Sequence, residues 1–132
     1  MPKGREMEIA ELPSHLKRER VHNVVWLTAD VHDCAAHDDD PQAAAFHDFD
    51  GFREFVAGPL NAGSFGPGTL ERTFGPQGVF FKAPPPGQAN LSPNAGLQSF
   101  GEVNADPRSL ELTVERRDVD GQAVSAKTLP AR

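Results

Sequence analysis

The strongest constraint on this chain is its punctuation. Twelve Gly and twelve Pro stand among 132 residues, nearly a fifth of the total, and they gather in the middle of the sequence. There the stretches "GPLNAGSFGPGTLERTFGPQG" and "APPPGQANLSPNAG" carry one turn signal after another. Glycine tolerates positive φ, whereas proline locks φ and removes an N–H donor, so regular elements do not run through such segments. Long irregular loops are therefore expected across 58–96, interrupted by one short strand at 79–82. The Gly-Pro pairs recur at unequal spacing, so they mark turns and not a repeat.

Regular structure is left to the two ends. Residues 4–20 read as a surface helix within a helical segment 1–22, because Ile9, Leu12 and Leu16 fall at i, i+3 and i+7. Pro13 lies inside that pattern and is expected to kink the helix or restart it near Ser14. The run "NVVWLTA" (23–29) has β-branched and aromatic residues without alternation, which fits a strand covered on both faces. Residues 30–41 then read as the loop leaving its C-terminal end, and "FREFVA" (52–57) as a second strand, making 23–57 a strand–loop–strand unit. In 97–130, Leu110, Leu112 and Val114 alternate with Glu111, Thr113 and Glu115. With Asp106-Pro107 and Asp120-Gly121 as turns, this predicts a three-stranded antiparallel meander with one wet face.

Composition excludes several classes. A net charge of −6 without a basic run argues against nucleic acid or an anionic membrane surface as partner. No apolar run approaches the ~20 residues of a membrane span, and the first residues lack the apolar core of a secretory signal. The single cysteine, Cys34, rules out an internal disulfide. One helix, few buried-type strands and two loops longer than about 12 residues are a poor recipe for a free-standing domain. The expectation is a piece of something larger.

Chemistry concentrates in "ADVHDCAAHDDDP" (29–41). Carboxylate oxygens and neutral imidazole nitrogens suit hard and borderline metal ions. On extended backbone, Asp30 and His32 at i and i+2 would point to one side, at a strand end where α/β proteins commonly locate ligands. The plainer alternative is a loop histidine hydrogen-bonded to Asp30. Cys34 reads as a small core hydrophobe in preference to a nucleophile, with Asp33 raising its pKa. His37 with Asp38, Asp39 and Asp40 reads either as a calcium-type cluster or, more simply, as a solvated loop with an Asx-turn before Pro41. Asp48, Asp50 and Gly51 loosely resemble a calcium loop but lack its other ligands, so a turn is expected. His15 and His22 read as surface residues, and Asn61 either lines a pocket or caps a turn.

Taken in order, "NVVWLTADVH", "DCAAH", "AAAFHDFDGFREFVAGPLNAGSFGP", "TFGPQ", "KAPPPGQANLSP" and "GLQSFGEV" resemble the C-terminal part of the alkaline phosphatase D (PhoD-like) family, within the calcineurin-like metallophosphatases. The opening "GREMEIAEL" resembles the helix that precedes this strand in the family. The resemblance implies an α/β fold, the C-terminal portion of a four-layer αββα sandwich that ends in the meander. It also implies hydrolysis of phosphate mono- or diesters through metal-activated hydroxide, iron and calcium as cofactors, and export in typical members. Asp30 and His32 would then take the first and second ligand places of the family's x-Asp-x-His motif, with Asp33, His37 and Asn61 as possible lining residues.

Two departures qualify what is carried over. Family members commonly place an aromatic residue, often Tyr, where this chain has Asp33, and again around Asp38 and Asp39; the chain contains no Tyr. The earlier motifs that supply the bridging Asp, the Asn and further ligands have no counterpart here, so no catalytic residue is assigned. A dinuclear site clamps phosphoryl oxygens between two metals, and two ligands do not build one. The expected partners are a phosphate ester in a complete enzyme and a missing N-terminal half or another chain. A non-catalytic, metal- or subunit-binding β-rich module is the alternative, and a free-standing binding domain the weaker third.

Overall fold

A computed structural model describes residues 5–131. The first helix, α1 (Glu6–Arg18), begins inside the expected segment; the expected start at Gly4 lies outside the described residues. Glu6 and Glu8 sit in its first turn and His15, Lys17 and Arg18 in its last, which complements the helix dipole. Pro13 is within the helix, which continues as one element instead of restarting at Ser14. The buried positions are Ala10, Pro13 and Ser14, while Ile9 and Leu12 are exposed. Small residues let the helix approach closely, and the Ser14 hydroxyl donates to the Asp48 carbonyl at 2.7 Å. The apolar stripe therefore misidentified the packed face.

Four strands form the first sheet: β1 (Val25–Thr28), β2 (Cys34–Asp39), β3 (Phe52–Val56) and β4 (Pro76–Lys82), in the order β1-β3-β2-β4. β1 runs parallel to β3, and β2 is antiparallel to both β3 and β4. Two corrections follow. β1 is an edge strand with Leu27 60% exposed, so it is not covered on both faces. The expected loop 30–41 contains β2, an inner strand of the sheet in which five of six residues are buried. "CAAHDD" hides its strand character because polar residues here point inward, against the rule that acidic clusters are solvated.

Between β2 and β3, Phe46, Phe49, Phe52 and Phe74 form a ring cluster with centroid separations of 5.7–6.5 Å, joined by Trp26 at 5.5 Å from Phe52. Gly75 closes this region at φ +63°, and a Cβ there would come within 2.6 Å of the Asp40 carbonyl oxygen. Only glycine fits both constraints.

The second sheet is the expected meander, β5 (Ser99–Ala105), β6 (Leu112–Asp118) and β7 (Ala123–Leu129), antiparallel throughout. Its hairpin turn is longer than two residues, with Asp118 capping Asp120 and Gln122 and Gly121 at φ +75°. Val114 joins Ala36 and Phe55 in the core between the sheets, flanked by Val25, Phe80, Leu112 and Leu129. Leu110, assigned by its alternation to the buried face, precedes β6 and is exposed. Arg116 takes the buried position instead, 2% exposed, its guanidinium 4.9 Å from the Phe55 ring and 5.1 Å from the Phe80 ring. Stacking between two desolvated rings stabilises a cation that bonds Ser125 and has no acidic partner among the described residues. The arrangement is mixed α/β, a partial sandwich of one helix and two sheets. No described helix is long and apolar enough to cross a membrane.

Candidate functional site

A cleft of about 350 Å³ lies where the chain leaves β1, with Asp30, His32, Asp33 and His37 in its wall beside Phe65 and Phe81. Four residues singled out in the sequence are thus brought together. Asn61 is exposed and does not line the cleft.

The geometric route to this grouping differs from the expected one. β1 ends at Thr28, and Asp30 adopts φ +78°, so the pair does not sit on extended backbone. A non-glycine residue in that region is disfavoured by roughly 1–2 kcal/mol, and Asp is among the few that tolerate it. The turn, not a strand's alternation, aims the two side chains at one space. Asp30 is exposed and His32 half-buried.

His32 is held by the Gly-rich loop. Its ring Nδ1 lies 2.7 Å from the Gly63 carbonyl oxygen, its own carbonyl accepts from the Phe65 N–H at 3.0 Å, and its ring meets Phe65 at a centroid distance of 5.5 Å. The loop is itself anchored by a two-way bridge, Ser64 N–H to Leu91 O at 2.9 Å and Leu91 N–H to Ser64 O at 3.2 Å. A carbonyl at Nδ1 requires a proton there, so in the neutral ring the lone pair sits on Nε2. That is how histidines are oriented toward metals, and it displaces the reading in which His32 merely bonds Asp30. Asp30 and His32 therefore present the oxygen and nitrogen donors that a borderline cation accepts. Among the described residues no group of three or more such side chains gathers to complete a coordination sphere.

Behind the cleft runs a half-buried polar chain that ends on the buried His37. The Thr28 hydroxyl donates to Glu54 Oε1 at 2.7 Å, and Glu54 Oε2 lies 3.1 Å from His37 Nδ1. His37 is 7% exposed, and its buried Nε2 has no partner. The hydrogen bond to His37 holds the Glu54 carboxyl below its usual range, and the same bond raises the imidazole against the opposing effect of burial. Both shifts favour a Glu54 carboxylate facing a His37 imidazolium. Asp39, on the same face of β2 and also 7% exposed, is pushed up to about 7, first by burial and then by the neighbouring Glu54 charge. Burial likewise raises Asp33, against the lowering effect of the nearby His37.

The remaining assignments divide. His37 and Asp39 are not in a solvated loop but inside a sheet, whereas Asp40 does form the expected Asx-turn, accepting from the Gln42 N–H at 2.8 Å. Asp38 pairs with Arg53 at 2.9 Å, so no calcium-type cluster forms. Cys34 is fully buried; its thiol is pushed up chiefly by burial, with Asp33 the least of the causes. Asp48 bonds Lys17 at 3.1 Å in an exposed pair. Glu54 and Thr28 were missed altogether. The available signal was a carboxylate between two apolar residues on one face of the strand Phe52–Val56, an unusual place for one unless it has a partner.

The model of the family described as PhoD-like phosphatase matches residues 1–116. The chain belongs to that family. Searches of curated proteins and of solved structures found no match. The cleft lies at Asp30 and His32, the two residues that the family resemblance had marked.

Proposed function

We propose that this PhoD-like chain contributes Asp30 and His32 to a metal centre that hydrolyses phosphate mono- or diesters. The observation that carries the proposal is the His32 Nδ1 contact with Gly63 O at 2.7 Å, which leaves Nε2 free beside Asp30 in one cleft. A cation held by these donors supplies positive charge to a phosphoryl group and acidifies water. Within the chain, the loop around Gly63 fixes the imidazole, and the Asp30 turn presents its carboxylate to the open side. Phe65 and Phe81 wall the cleft with hydrocarbon, which strengthens electrostatic interactions inside it. Iron and calcium are the candidate ions by family resemblance. The further ligands come from polypeptide beyond these residues, so the chain alone is expected to bind a cation without turnover.

Calorimetry with Ca²⁺ and elemental analysis after incubation with iron test this. Asp30→Asn or His32→Gln should weaken binding by at least about tenfold. Equal affinity in wild type and both variants would overturn the assignment. The absence of a third donor among the described residues favours a second reading, a non-catalytic module that binds metal or a further subunit. Hydrolysis of an aryl phosphate by the purified chain would exclude that reading.

A further inference from the structure

The cleft wall contains a second imidazole whose role the metal reading leaves open. His37 lies on β2, five residues after His32, with its Nδ1 committed to Glu54 and its Nε2 buried without a partner. A buried polar nitrogen left unpaired costs about 1–3 kcal/mol, so a native protein that keeps one usually has a use for it. Glu54 is braced in turn by Thr28 from the neighbouring strand β1, so the imidazole is aligned by two strands of the sheet rather than by a mobile loop. Phe81 meets the ring edge-on at a centroid distance of 5.6 Å and restricts it further.

Among the described residues no Lys or Arg lines the cleft, so there its imidazoles are the side chains able to offer a cationic donor to an anion. His32 cannot serve when its free nitrogen faces a metal. We infer that His37, aligned by Glu54 and Thr28, is the cleft's hydrogen-bond donor to an oxyanion, namely a phosphoryl oxygen of the ester that the metal reading requires. The inference rests on that reading for the identity of the anion, but not for the geometry of the donor. Glu54 and Thr28 are positioning residues: they hold the imidazole and do not meet the ligand. The Glu54 carboxylate supports the role, because it stabilises the doubly protonated ring in which Nε2 carries a hydrogen. Asp30 and Asp33 are the acidic neighbours in the cleft that would oppose an anion, so the donor has to outweigh them.

The test uses long-range ¹H–¹⁵N spectra of the chain's five histidines, titrated with inorganic phosphate and with chloride at matched ionic strength, with and without Ca²⁺. The expected result is a saturable change at His37 Nε2 with phosphate and none with chloride. Glu54→Gln should weaken phosphate binding about 10- to 100-fold, the worth of a hydrogen bond to a charged group. His37→Gln, which keeps an N–H donor, should lose less. The wild-type titration needs no variant, so misfolding of either leaves the result readable. A His37 signal unmoved by phosphate under both conditions would overturn the inference, as would unchanged phosphate affinity in Glu54→Gln. The two readings fail separately. If Asp30→Asn abolishes metal binding while His37 stays silent to phosphate, only the donor role falls. If metal binding ignores Asp30 and His32 while His37 still responds, the metal reading falls and the anion site stands.

Discussion

The two sheets of this protein are made on different terms. In the meander, β6 pairs residue for residue with β5 from Ala105–Leu112 to Ser99–Asp118, and polar side chains pair across strands as in Glu102–Arg117 and Thr113–Thr128, while Arg116 alone of the long polar side chains is fully buried. In the four-stranded sheet, the inner strand β2 buries His37 and Asp39 next to Glu54, and its register with β4 shifts between Ala36 and His37. The meander follows the rule that polar groups face water at most positions, with Arg116 as its buried exception. The four-stranded sheet breaks it with a hydrogen-bonded network, which stabilises the fold only while each member keeps its partner. Residues bent to that arrangement, Asp30 at positive φ and His37 with an unpaired nitrogen, cluster at the cleft. The meander has its own irregularity, a register shift between Arg116 and Arg117 and unpaired guanidinium nitrogens on Arg116, so what sets the four-stranded sheet apart is that its polar groups lie beside a cleft.

Mutation breaks or sharpens this contrast. The largest effect belongs to the seam between the sheets. Phe55→Ala removes a buried ring from the core and one of the two rings that flank Arg116, and should destabilise the chain by about 3–5 kcal/mol in urea unfolding. An equally small loss as at a solvent-facing meander residue would show that the sheets do not share a core.

Next comes the buried carboxyl. Asp39 titrates near 7 in the folded chain and near 3.9 when unfolded, so between those pH values the native state binds the extra proton. Stability should therefore fall as pH rises from about 4 through about 7. Asp39→Asn should remove on the order of 3 kcal/mol of that slope, measured by unfolding at pH 5 and pH 8. His37, also raised, contributes in the same direction: its stabilisation is complete below about 6.5 and lost as pH rises through its folded pKa. A slope unchanged in Asp39→Asn would place the titration elsewhere.

Smaller effects follow. Ser14→Ala deletes the 2.7 Å bond that ties α1 to the Asp48 carbonyl and should lower stability by about 1 kcal/mol, with the helical signal loosening before the sheets unfold. Smallest is Thr113→Ala in the meander, which removes an exposed cross-strand partner of Thr128 at 3.0 Å and should cost at most about 0.5 kcal/mol. A Thr113→Ala loss comparable to that of Phe55→Ala would erase the distinction between the two sheets.

The same contrast explains what could be read in advance. The meander was legible because Leu112 and Val114 alternate with polar neighbours, and a period of two has a direct meaning when one face is wet. Arg116 and Leu110 are its exceptions, since alternation locates a face but does not say which residues another sheet will cover. β2 was illegible because a histidine and two aspartates signal solvent unless Glu54, Arg53 and the covering elements are already known to be nearby. Asp30 and His32 were singled out by residue chemistry and family resemblance, and the structure places both in one cleft, yet the extended geometry offered for them was wrong.

The amino-acid order alone determined the turn-rich middle, the alternating C-terminal strands and the family, and it singled out the Asp30 and His32 pair after β1, because each of these is encoded within a few neighbouring residues. Tertiary structure alone decided which side of α1 is packed, that β2 lies inside a sheet, and that Glu54 stands opposite His37, 17 residues earlier in the chain. The physical reason is reach. Propensity and periodicity act over one or two turns of chain, whereas burial and pairing depend on segments that meet only after the sheet has formed.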